Sequence, residues 1–152
     1  MSRSFGLDAD LALAALEDAV ERFKKDDLNE DLARDCAIKA WHLCEHVFDE
    51  HAVSLPFAGL SDFQGHVRGA CPELAHLEVI CNASKHGESL RNNGQVREAR
   101  HHRGAFSRDF SRDFDVSRLE IELTDGTRVD FEDAMDRAVA YWFQFFSRYG
   151  FR

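Results

Sequence analysis

The chain has 152 residues, a length that fits one domain with a single sizeable core. Its formal net charge of −9 argues against broad binding to a phosphate backbone, which needs clustered Lys and Arg. No run of about 18 apolar residues occurs and Met1–Gly6 lacks an apolar signal core, so neither a membrane span nor export is expected, and the protein is assigned to the cytoplasm.

Proline is scarce (2), and long Ala/Leu/Asp/Glu/Arg-rich stretches favour helices. The first helix is expected from about Leu7 to Lys25, capped by Asp8, with Leu11, Ala15, Leu16, Ala19, Val20 and Phe23 on its apolar face. After a short link, Asn29 caps a longer helix from about Glu30 to His51, with a stripe of Cys36, Ala37, Ala40, Trp41, Cys44, Val47 and Phe48. So short a link makes the two helices antiparallel neighbours.

Residues 54–69 read as irregular, broken by Pro56 and Gly59. A short helix is expected to begin at Ser61, where Ser61-x-x-Gln64 fits a capping box. The third main helix starts at Pro72 and stops at Gly87. It shows two stripes, Leu74, Leu77, Cys81 and Ser84 on one and Ala75, Val79, Asn82 and His86 on the other, which predicts a place in the middle of a bundle.

Residues 87–117 read as a long polar loop, Gly- and Arg-rich, with a four-residue repeat (Phe106-Ser107-Arg108-Asp109, Phe110-Ser111-Arg112-Asp113). A β-hairpin is expected over 118–131, with Leu119, Ile121 and Leu123 alternating with charged residues. A three-residue Thr124-Asp125-Gly126 turn sets the register that pairs Ile121 with Val129 and Glu122 with Arg128. The last helix runs from about Glu132 to Arg148 with Asp130 as cap. Its apolar coverage, Met135 to Tyr149, is wide enough to suggest a homodimer through this helix. The fold expected is thus mainly α, a single domain over 1–152: an up-down bundle of four main helices with a β-hairpin inserted before the last.

Four cysteines (Cys36, Cys44, Cys71, Cys81) form no C-x-x-C pair and read as buried free thiols. His42-Leu43-Cys44-Glu45-His46 matches an H-x-x-E-H string, in which His42 and His46 would bind zinc and Glu45 would act as base. At about 100° per residue, His42 and His46 fall opposite the core stripe, on a solvated or intersubunit face. Asn82 and His86 lie one helical turn apart. His86 suits general acid/base work on RNA with Asn82 positioning a phosphate or hydroxyl, or else His86 and Lys85 only complement the negative helix end. Arg97-x4-His102 sets an Arg and a His five positions apart in the loop, and the arginines from Arg91 to Arg112 are where RNA or a nucleotide would bind. No cofactor is expected.

Two stretches, Ala40-Trp41-His42-Leu43-Cys44-Glu45-His46-Val47-Phe48 and Cys81-Asn82-Ala83-Ser84-Lys85-His86, resemble the HEPN-type helical domains over roughly the first 90 residues. In that family an Arg, a following polar residue and a His form an RNA-cleaving site, often across a homodimer. The resemblance maps Asn82 and His86 onto the motif and puts Cys81 where the Arg belongs, and a thiol cannot stabilise phosphorane charge as a guanidinium does. The resemblance therefore implies a non-catalytic or degenerate domain acting through a partner or a dimer. Its alternatives are a toxin or defence-type ribonuclease using His86, and a small metal-dependent hydrolase using His42, Glu45 and His46.

Overall fold

The computed structural model describes the backbone of residues 8–86, 96–103 and 117–151, and the side chains of residues 8–83 and 119–151. It is mainly helical, with helices α1 (Ala9–Lys24), α2 (Glu30–His51), α3 (Leu60–Ala70), α4 (Pro72–His86) and α5 (Phe131–Tyr149). Strands β1 (Val96–Arg103), β2 (Ser117–Leu123) and β3 (Arg128–Asp130) precede the last helix. No helix among the described residues is long and apolar enough to cross a membrane.

Capping residues start three of the helices as their chemistry dictates. The Asp8 carboxylate accepts from the Leu11 N–H, the Asn29 side chain from Asp31 and Leu32, and the Asp130 carboxylate from Asp133. The Ser61 capping box does not form. Helix α3 begins one residue earlier, with Gly59 at the cap and no side-chain bond there. On α1 the buried face is Ala9, Ala12, Leu13, Leu16, Ala19, Val20 and Phe23, whereas Leu11 points outward at 56% exposure.

Helix α2 touches every other α-helix and occupies the centre that the double stripe predicted for α4. Its buried residues include Leu43 as well as the Cys36–Val47 stripe, and the Trp142 indole of α5 donates to the Ala40 carbonyl at 3.0 Å. Helix α4 buries Leu74, Leu77, Ile80, Cys81 and Ala83, but its second stripe stays half-buried at Ala75 and Val79 and exposed at Asn82. Aromatic rings fill the space between α2, α3 and α5: Phe63 meets Phe48, Phe57, Trp142 and Phe145.

The sheet is three-stranded and antiparallel in the order β1-β2-β3. The β2–β3 hairpin has the expected register, Ile121 opposite Val129 and Glu122 opposite Arg128. Gly126 stands at φ +90°, a conformation an L side chain resists. The expectation of a loop throughout 87–117 fails over 96–103, which is a strand. That strand holds one small apolar residue in mid-strand, Ala99 opposite Ile121, so no alternation announces it. Residues 87–95 and 104–116, with the Phe-Ser-Arg-Asp repeat, lie outside the described residues.

Helix α5 ends in a left-handed Gly150 (φ +69°). The Gly150 N–H donates to Ser147 and the Phe151 N–H to Phe146, which closes the last carbonyls. Phe151 then stacks on His51 with centroids 3.7 Å apart. The wide apolar coverage of α5 is absorbed within the chain: Met135, Ala138, Trp142, Phe145 and Phe146 are buried, and Val139, Tyr141, Phe143 and Tyr149 pack around the same core. Burial also raises the Tyr141 hydroxyl's pKa.

Candidate functional site at the α2–α4 contact

The two sequence motifs meet where α4 crosses α2. Cys81, only 1% exposed, places its Sγ 3.5 Å from His42 Nε2, and the same nitrogen lies 3.8 Å from Glu45 Oε2. This corrects the placement of His42 on an outer face. Helical phase counted only the stripe of α2 itself, whereas α4 covers a second side, leaving the His42 side chain 35% exposed and His46 half-buried. Glu45 remains exposed. A thiol and an imidazole at this separation share a proton-bearing contact in which either is donor, depending on the tautomer. Nothing positively charged sits at position 81.

Asn82, the next residue, turns outward, and His86 closes α4 one helical turn later. The His86 side chain lies outside the described residues, and so do those of Arg97 and His102. The backbone places Arg97 at a bulge between Val96 and Glu98, and His102 opposite Arg118. Strand β1 runs against α4, so the segment carrying Arg97 and His102 neighbours the helix carrying Asn82 and His86. Of the Arg91 to Arg112 stretch, residues 91–95 and 104–112 are outside the described set. Among the described residues no group of three or more His, Cys, Asp or Glu could hold a metal ion. His42 thus meets Cys81 and stands near Glu45, and His42, Glu45 and His46 form no ligand cage.

None of the four cysteines forms a disulfide, and all are buried. Burial pushes the Cys36 thiol up to about 12, the Cys71 thiol up to about 11, and Cys44 higher than its ordinary value too. These groups stay protonated and make poor nucleophiles.

Sequence reasoning missed a second polar cluster. The Arg68 guanidinium stands 5.2 Å over the Trp41 ring and binds Glu78 through two bonds of 2.7 Å. It borders an open cleft of about 520 Å³ shared with Pro72, His76, Leu123 and Asp125. His76 Nδ1 is buried with no hydrogen-bond partner, and burial lowers the ring's pKa despite the opposing pull of Glu73. No local spacing could announce a pair such as Arg68 and Glu78, which lie on different helices.

Neither a family model, nor a curated protein, nor a solved structure matches the chain.

Proposed function

We propose that this chain is a degenerate HEPN-like domain that works by binding a partner rather than by cleaving RNA. The observation that carries the reading is the burial of Cys81 against His42. The position at which the resembled family keeps its guanidinium faces the α2–α4 interior here, and the residue there is a cysteine, which brings no positive charge to hold a phosphorane. Asn82, on the adjacent exposed side of α4, is left as a polar contact residue. The resemblance extends the proposal to a homodimer. Because α5 spends its apolar face on its own core, the dimer rests on the family likeness and not on that helix. Four cysteines with no disulfide among them suit the reducing cytoplasm.

Purified protein incubated with structured and unstructured RNAs over a range of concentrations should leave them intact, and sedimentation should give twice the chain mass. RNA cleavage that disappears in His86→Ala, with the fold retained, would overturn the reading. It would support instead a ribonuclease that draws its cation from β1. A specific observation favours that second reading: β1, with Arg97, Arg100 and Arg103, runs beside α4.

A further inference from the structure

Strand β1 is the outer strand of its sheet. Strand β2 pairs with one side of it from Val96 to Arg103, and among the described residues no strand pairs with the other. Its eight residues of extended chain span about 26 Å and carry alternating N–H and C=O groups, and helix α4 also runs against the strand. The opposite edge strand, β3, has only three residues.

The composition of β1 departs from that of the whole protein. Three arginines, two histidines and one glutamate fill six of its eight positions, a formal +2 with His neutral, in a chain of net charge −9. Strand β2 alternates apolar and acidic residues from Leu119 to Leu123 and sets Glu120 opposite Arg100, while its Glu122 stands opposite Glu98 and its Arg118 opposite His102. An acidic, alternating strand on the far side would complement the net positive charge of β1 and repeat the Glu120–Arg100 pairing. A second copy of β1 would instead join two basic strands. A nucleic-acid strand could satisfy the charge but not the ladder of backbone donors and acceptors.

We infer that the outer edge of β1 receives an extended acidic segment of a partner protein by strand addition. Main-chain bonds supply the affinity, and the basic composition of β1 selects the partner. The inference rests on reading the chain as a binding module and names the class of partner.

The probe is a fluorescent nine-residue peptide of alternating Glu and Val, followed by anisotropy on the full chain. Saturable binding is expected, weakened about tenfold or more in a Lys/Val peptide and in the Arg100→Glu/Arg103→Glu protein. Circular dichroism shows whether that variant keeps its fold. Two further peptides, N-methylated at the odd or at the even amides, use only the unaltered protein. One should bind and the other should not, because a strand presents alternate amides to its neighbour. Absence of saturable binding up to about 1 mM, equal binding by both methylated peptides, or binding of a U-rich oligonucleotide in place of the peptide would overturn the inference. Failure of the module reading is seen separately, as RNA cleavage that depends on His86.

Discussion

The His76 ring carries a buried Nδ1 with no hydrogen-bond partner, and burial lowers its pKa below the ordinary imidazole value. In the unfolded chain the ring takes up a proton as the pH falls through about 6.5, while the native chain resists until the pH is lower. The contribution of His76 to stability is therefore complete above that point and is lost as the medium becomes more acidic. Urea midpoints measured from pH 7.5 to pH 5 should fall for the parent protein and fall less for His76→Gln; identical slopes would remove His76 as the cause. Glu73 works in the opposite sense to its own burial. Desolvation would raise its carboxyl, but its own backbone N–H, the Arg137 guanidinium and the Cys71 thiol hold it below the usual range. None of this is visible at the level of spacing. His76 and Glu73 share one turn of α4 with apolar neighbours, and only the packing of that turn decides which is desolvated.

At the scale of elements, the short-range chemistry of the ends marks where α1, α2 and α5 begin. Gly150→Ala places a Cβ in the left-handed region and should cost about 1 kcal/mol of unfolding free energy; Asn29→Ala removes the two bonds that start α2 and should cost about the same. Thermal melts of the two variants check both, and an unchanged melting temperature in either would show that its cap is dispensable. The helix starts at Asp8, Asn29 and Asp130 and the turn at Gly126 were legible in the sequence because each of these residues acts on neighbours within a few positions. Strand β1 was not legible. A strand of Arg, His and Glu gains its place from pairing with β2 across more than a dozen residues, and its own pattern offers no apolar face to detect. The phase of α2 misled for a related reason. One helix wheel shows one stripe, but a central helix is covered on several sides, and α4 reaches His42 from residue 81.

Over the whole molecule, the helix that carries Asn82 and His86 was legible in the sequence. The meeting of Cys81 with His42 depends on which helices cross. The same packing closes all four thiols to solvent, at 0% to 4% exposure. Ellman's reagent should therefore find almost no reactive thiol in the native protein and all four after denaturation; rapid labelling of even one in native buffer would contradict the packing around it.

The indole–carbonyl bond between Trp142 and Ala40 also bears on the order of folding. It joins residues 102 positions apart, whereas α1 and α2 meet across a short turn. Closing the longer loop costs more chain entropy before any contact rewards it, so the α1–α2 hairpin assembles early and α5 docks after the rate-limiting step. Trp142→Phe should then destabilise the protein by about 2 kcal/mol and do so mainly by speeding unfolding, with refolding nearly unchanged. Stopped-flow chevron arms that shift equally, or a loss carried by the refolding arm, would put α5 in the nucleus instead. On this reading α5 sets how long the native protein survives, and the first two helices set how quickly it forms.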